Sequence, residues 1–133
     1  MGSFTIDIGK FVEKTNKRAD LKMRKIALDT TAKLKMKTPV DTGDLRGSWT
    51  PSIDGMPTSY DGNDAANYAV KFGQTLYIST DKSYAPTLEY GLYPQPGGSK
   101  TINGYSTQAP KGMVRITVQE MLAYLNENAA RFA

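Results

Sequence analysis

The fold is decided by one stretch of sequence, TPVDTGDLRGS at residues 38–48, which separates a helical pattern from a region of short segments. Pro39 ends the helix, because proline pushes the residue before it out of the helical region. Asp41 and Thr42 can bond to backbone groups within a turn, and Gly43 permits the positive φ that reverses the chain. We therefore predict a corner at which a helix gives way to a strand.

The residues before this corner have helical spacing. From Ile6 or Asp7 to Lys37 the chain has no proline, and Gly9 is its only glycine. Apolar and small residues recur there at steps of three and four, the helical period. They are Ile8, Phe11, Val12, Thr15, Ala19, Met23, Ile26, Ala27, Thr30 and Leu34. We predict one long amphipathic helix.

The residues just after the corner predict a strand followed by a loop. Leu45–Ile53 carries Trp49 and is interrupted by Pro51, which suits an edge strand. Residues 54–67 hold Asp, Gly, Pro, Ser and Asn with few apolar residues, so we predict an exposed loop. Loops of this length are usually functional or disordered.

Short elements are predicted in the middle of the chain. Tyr68–Phe72 and Leu76–Thr80 are strand-like runs separated by Gly73-Gln74-Thr75, which is typical of a hairpin. Tyr84–Tyr90 predicts a short helical turn that stops at Gly91.

A second long loop and a helix complete the pattern. Residues 92–108 are rich in Pro, Gly, Ser and Tyr, with a brief strand pairing at 100–105. Pro110 suits a helix N-terminus, and the apolar residues after it recur at helical spacing: Val114, Thr117, Val118, Met121, Leu122, Leu125, Ala129 and Phe132. The element order predicts an α+β fold: a small antiparallel sheet, with the long N-terminal helix and the C-terminal helix on one face, and long loops.

The composition excludes most enzyme chemistry. The chain has 133 residues, of which 39% are hydrophobic, and it contains neither cysteine nor histidine. It therefore has no thiolate or imidazole metal ligand, no cysteine nucleophile and no Ser-His-Asp triad. Asp61 and Asp64 lack the Glu that closes a calcium loop. We expect a single folded domain over 1–133 that is not an enzyme, holds no cofactor or metal, carries no secretory signal and does not cross a membrane.

The charge is unevenly distributed along the chain. Between Asp7 and Lys37 there are ten Lys or Arg against four Asp or Glu, which gives +6, and the remainder carries −2. Such a basic helix can follow DNA phosphates, dock on an acidic protein or form a solvated face. The candidate docking residues are Lys10, Lys14, Lys17, Arg18, Lys22, Arg24 and Lys25.

Two segments, TPVDTGDLRGS at residues 38–48 and YAPTLEYG at residues 84–91, resemble motifs of the tail-completion or neck proteins of tailed bacteriophages and prophages. Residues 38–48 follow the basic helix and have the form TPVDTGxLRxS. Residues 84–91, YAPTLEYG, have the form YAxxxEYG and follow the strand predicted at 76–80. A third family element corresponds to residues 109–115, which keep Ala109, Arg115 and little else, after a longer insertion at 92–108.

The resemblance implies a structural protein of the virion neck. The resemblance further implies that the chain forms a ring, expected to be a hexamer, between the head connector and the tail tube. DNA would pass through the lumen of this ring. The expected partners are further copies of the chain, the connector or adaptor, the stopper and the tail tube protein. Assembly would take place in the host cytoplasm. Residues 54–67 and 92–108 are the expected contact loops.

The two turn motifs are candidates for an interface role as well as for shaping the monomer. Glu89 is a candidate partner for a cation of the basic helix, in the same chain or in a neighbouring subunit. The motif residues are Thr38, Pro39, Val40, Asp41, Thr42, Gly43, Leu45, Arg46, Tyr84, Ala85, Pro86, Glu89, Tyr90 and Gly91.

Two alternatives remain open from the sequence. Tail terminator and head-closure stopper are neighbouring roles within the same neck, and the sequence does not separate them. A small DNA-binding protein that works through the basic helix is an alternative of another class, and it predicts affinity that falls steeply with salt.

Overall fold

The computed structural model describes residues 17–40 and 43–128. Helices and short strands alternate along these residues. In chain order they are α1 (Lys17–Lys37), α2 (Asp44–Ser48), β1 (Thr50–Ile53), α3 (Ala65–Ala69), β2 (Leu76–Ser79), α4 (Ala85–Tyr90), β3 (Thr101–Ile102), β4 (Tyr105–Ser106) and α5 (Val114–Glu127).

The inner face of α1 forms one side of the hydrophobic core. The predicted period is confirmed from Ala19 onward, since Met23, Ile26 and Leu34 are fully buried. The earlier positions, Ile8, Phe11, Val12 and Thr15, lie outside the described residues. Burial of side chains of this size contributes about 1.5–3 kcal/mol each, so the core holds α1 in place.

The strands form two small antiparallel sheets. β1 pairs with β2 in a register that sets Thr50 against Ser79 and Ile53 against Leu76. β3 pairs with β4. Because β1 belongs to a two-stranded sheet, Pro51 can turn its nitrogen away from β2 without breaking the ladder. Leu76 and Ile78 are fully buried and join the core.

The helices pack on one another and on the first sheet. α1 contacts α3 and α5, and α3 contacts β1. Glu120 of α5 binds Lys37 at 2.8 Å and Lys33 at 3.3 Å, which ties the last turns of α1 to the middle of α5. The predicted α+β class with a long N-terminal and a C-terminal helix is confirmed.

Two predicted strand segments are helical. Residues 45–48 of the predicted strand belong to α2, where Gly47 N donates to Gly43 O, and only residues 50–53 are extended. The strand predicted at 68–72 is wrong, because residues 65–69 form α3. The side chain of Asn63 accepts from Ala65 N at the start of α3, and alanine-rich sequence favours helix.

Two boundaries also differ from the prediction. The sequence predicts Asn67 in an exposed loop, but it lies in α3, is fully buried and donates to the Thr31 hydroxyl at 3.0 Å. Pro110 does not open the last helix, since it lies in an isolated bridge with Gly112. α5 begins at Val114 instead.

Other predictions for the second half are confirmed. α4 occupies most of the predicted helical turn, and Gly91 ends it in the left-handed region at φ 66°. The brief strand pairing predicted near 100–105 is the β3–β4 hairpin.

Among the described residues, no helix is both long enough and apolar enough to cross a bilayer.

The Glu120 ion pair gives a test by pH. The hydrogen bond from Lys37 lowers the pKa of Glu120 below its ordinary 4.5. A lowered folded-state pKa means that the stabilisation is present above pH 4.5 and is lost as the pH falls through the folded pKa. Glu120→Gln should lower the free energy of unfolding by less than about 1 kcal/mol near neutrality, because the carboxylate is partly exposed.

Urea unfolding at several pH values measures this effect. The difference between the parent chain and Glu120→Gln should shrink in acid and in high salt. Glu127→Gln, at the exposed end of α5, is the control. A difference that stays constant from neutral pH into strong acid would contradict the ion-pair assignment.

Candidate functional site

The first turn motif is anchored by the Thr38 hydroxyl. This group donates to Leu34 O at 2.7 Å and accepts from the Trp49 indole Nε1 at 2.9 Å. Thr38 is 1% exposed and Trp49 is fully buried. The end of α1 and the start of β1 are therefore joined by a hydrogen bond inside the core, where its loss would be costly.

Arg46 closes the end of α1 from the outside. Its Nη2 donates to Thr38 O at 2.8 Å and to Met36 O at 3.4 Å. The last carbonyls of a helix lack partners within the helix and carry partial negative charge, so a guanidinium there is favourable. Arg46 thus stabilises the corner between α1 and α2 through these hydrogen bonds.

The rest of the first motif divides between core and surface. Pro39 and Leu45 are buried, while Val40 is 44% exposed and donates its N–H to the Gln108 side chain at 2.9 Å. Gly43 has φ 80°, the predicted left-handed conformation, but it leads into α2 before the strand. Asp41 and Thr42 lie outside the described residues.

The second turn motif is similarly divided. Ala85 is buried and Pro86 half-buried in the first turn of α4. Tyr84 and Tyr90 are exposed at the two ends of α4. Gly91 needs its positive φ, and a Cβ there would also overlap the Tyr105 ring.

Glu89 is the buried acid of this motif, at 1% exposure. Its Oε1 accepts from the N–H groups of Met113 and Val114, both at 2.7 Å. Its Oε2 accepts from Arg115 N at 3.1 Å and from Arg115 Nε at 2.8 Å. The carboxylate therefore satisfies the free N–H groups at the positive end of α5, which accounts for the start of α5 at this point.

The prediction that Glu89 pairs with a cation of the basic helix is wrong. Its cation is Arg115 of the same chain, and the buried carboxylate is not available to a neighbouring subunit. The hydrogen bond to Glu89 raises the pKa of Arg115. Arg115 also lies over the Tyr90 ring, with its guanidinium carbon 4.9 Å from the ring centroid.

Gly112 allows this arrangement. It has φ 82°, and a Cβ would lie 2.6 Å from Glu89 O and 3.0 Å from Glu89 Oε1. Sequence reasoning missed Gly112. The glycine directly before an apolar helix, and the retained Arg115, were the available signals.

The two motifs meet at one groove. A cavity of about 250 Å³ lies between them, lined by Pro39, Gly43, Asp44 and Leu45 of the first motif, Tyr84 and Leu88 of the second, and Tyr93. The structure thus brings together the motif segments that the sequence separates by about forty positions. Most of the side chains here are apolar or aromatic and suit packing against protein.

The basic residues of α1 are divided in role. Lys10 and Lys14 lie outside the described residues, and Lys17 is the first residue of α1. Arg24 Nε donates to Val70 O at 3.0 Å, and Lys25 binds Asp29 at 3.1 Å. The remaining two are Arg18, which is exposed, and Lys22, which is half-buried. Arg24 therefore serves the fold as well as the surface charge.

The two predicted contact loops differ in exposure. In the first, Gly62 N donates to the Thr50 hydroxyl at 2.9 Å, and Asp61 Oδ1 accepts from Asn63 N. In the second, residues 94–100 are all exposed. Within the described part of the chain, no three acidic side chains are grouped to hold a metal ion.

The Thr38 hydroxyl can be tested by an isosteric change. Thr38→Val removes the acceptor of the Trp49 hydrogen bond and should lower the free energy of unfolding by about 1–3 kcal/mol. Thr38→Ser keeps the hydroxyl and is the matched control. The fluorescence of Trp49, the chain's only tryptophan, reports unfolding in urea. Equal stability of Thr38→Val and the parent chain would refute the role of the hydroxyl.

Glu89→Gln tests the cap of α5. It removes the charge opposite Arg115 and puts an amide N–H where an acceptor is required, so a loss of roughly 3–5 kcal/mol is expected. Thermal unfolding by circular dichroism measures it, with Glu127→Gln as the exposed control. A loss no larger than that of the control would show that the carboxylate does not hold α5.

Comparison with protein families found a match that covers both turn motifs. Residues 3–91 match the family model described as "Bacteriophage HK97-gp10, putative tail-component", and the match includes both turn motifs. Neither the comparison with curated proteins nor that with solved structures found a match. Because the family match spans about two-thirds of the sequence, the chain belongs to the HK97 gp10-like family of phage tail components, which are structural virion proteins and not enzymes.

Proposed function

We propose that the protein is a subunit of the phage neck, which forms a sixfold ring that joins the DNA-filled head to the tail. DNA would pass through the lumen of this ring without sequence-specific contacts. In this proposal residues 1–133 act as one domain, assembled into the virion in the host cytoplasm. The neighbours would be the connector or adaptor and the stopper on one side and the tail tube on the other.

The groove between the two turn motifs is the observation that carries this proposal. The motifs lie inside the family match, and they meet at a partly apolar surface. Val40 and Tyr84 are 44% and 40% exposed, and Leu92, next to Tyr93 of the groove wall, is 61% exposed. Tyr84 lines the groove, whereas Val40 and Leu92 are chain neighbours of the lining residues Pro39 and Tyr93. Exposed apolar residues of this kind are typical of protein contacts.

The irregular segment 92–108 supports a contact role. Its residues 94–100 are exposed, yet its ends are held, because Tyr93 N donates to Gly104 O and Thr107 N donates to Lys100 O. A loop with fixed ends and an exposed tip can reach a neighbour at limited entropic cost.

The DNA-binding alternative has less support. A phosphate-binding helix needs cations free to face the duplex, but Arg24 and Lys25 make contacts within the chain. Lys33 and Lys37 bind Glu120. Steeply salt-dependent affinity of the purified protein for duplex DNA would favour this alternative.

The neck assignment is tested with a phage that carries an early stop in this reading frame. Electron microscopy of the lysate should show separate DNA-filled heads and separate tails. Tails of abnormal length would indicate the terminator role, and heads that leak DNA would indicate the stopper role. Complementation with the intact gene is the control. Normally joined virions in the uncomplemented lysate would overturn the proposal.

A further inference from the structure

A second apolar stripe runs along the outer face of α1. Leu21, Leu28, Ala32 and Met36 are spaced by seven, four and four residues, so they return to the same face of the helix. Leu21 is 63% exposed and Met36 is 77% exposed. The core-facing residues of α1 lie on the other side, and the stripe is thus not part of the core.

This outer stripe lies on a strongly basic helix. α1 carries eight Lys or Arg and two Asp. The exposed Arg18 lies on the same face as the stripe, together with Lys25, which pairs with Asp29. Apolar side chains add nothing to phosphate binding, so a stripe of leucine and methionine among cations suits an acidic protein surface better than DNA. The stripe from Leu21 to Met36 is about 22 Å long, at 1.5 Å per residue.

A surface of opposite character lies elsewhere on the chain. Residues 47–70 contain three acidic residues, Asp54, Asp61 and Asp64, and neither Lys nor Arg. All three are exposed. Exposed apolar side chains accompany them, since Met56 is 48% and Tyr68 61% exposed. We call the exposed residues among 54–68 the acidic surface.

The acidic surface is held in shape by internal bonds. Ser52 Oγ donates to Gly55 O at 2.6 Å, and Asn63 Oδ1 accepts from Ala65 N at 2.9 Å. Gly62, at φ 79°, approaches Gly47 so closely that a Cβ would overlap the Gly47 carbonyl. A surface ordered before binding loses little entropy when it docks.

A closed ring requires two different patches on each subunit, because a head-to-tail contact joins one surface to another. We infer that the outer stripe of α1 docks on the acidic surface of the next copy of the chain. This inference rests on the proposed ring and assigns its two subunit faces. The opposite charges set the orientation, and Leu21 and Met36 on one side with Met56 and Tyr68 on the other supply the apolar contact.

Cysteine cross-linking in assembled particles tests this pairing, since the natural chain has no cysteine. Phage with the early stop is complemented with a chain that carries both Leu21→Cys and Met56→Cys, and purified particles are treated with a short bismaleimide. Head-to-tail contact predicts a ladder of dimer, trimer and higher products on denaturing gels. Each single-cysteine chain should give no ladder.

The control pairs Leu21→Cys with Leu122→Cys, at the 37% exposed position on α5, which lies outside both surfaces and outside the proposed contact loops. A ladder equal to or stronger than that of the Leu21–Met56 pair would overturn the inference. Dimers from Leu21→Cys alone would do the same, because they indicate that α1 packs on α1. Either result would contradict only the pairing of these two surfaces, and not the proposed ring. Absence of the parent chain from complemented particles would instead overturn the proposed function and the inference together.

A second variant separates docking from folding. Leu21→Asp should leave the urea midpoint of Trp49 fluorescence unchanged, because the side chain is exposed, but should reduce the amount of chain in particles several-fold. Leu122→Asp, at the 37% exposed position on α5, should be incorporated normally. Normal incorporation of Leu21→Asp would contradict the inference.

Discussion

The buried carboxylate of Glu89 is the contact on which the second half of the structure depends. It accepts from three backbone N–H groups at the start of α5 and from the Arg115 side chain. No side chain near Met113 in sequence caps this helix end. A residue 24 positions earlier therefore caps the N-terminus of α5, a role that a Ser or Asp at the helix start usually has. α4 and α5 are consequently joined as one unit.

A comparable contact organises the first half. The Thr38 hydroxyl joins the end of α1 to Trp49, and Arg46 covers the last carbonyls of α1. Thr38 and Glu89, which fix the fold in the two motifs, are buried, whereas the motif residues Val40 and Tyr84 are exposed. The same short segments can therefore shape the monomer and present a surface, so a choice between these two roles is unnecessary.

The sequence was most informative where structure is local. The period of α1 and the glycine stop at Gly91 follow from spacing and backbone sterics, and both are confirmed from residue 17 onward. It was least informative where tertiary contacts determine the local structure. Residues 65–69 are helical with a buried Asn67, and Pro110 lies outside α5, because contacts with Thr31 and Glu89 outweigh local preference. The pairing of Glu89 with Arg115 links positions that no sequence pattern relates.

The closure of the chain between α4 and α5 bears on how the segment between them can vary. Since Glu89 and Arg115 hold both ends of the intervening segment, lengthening its exposed part costs closure entropy of roughly 0.6 kcal/mol for each doubling. The exposed residues 94–100 can thus lengthen, shorten or diverge while the core stays intact. A change of length or sequence there would alter the surface that the segment presents and leave the two turn motifs in place.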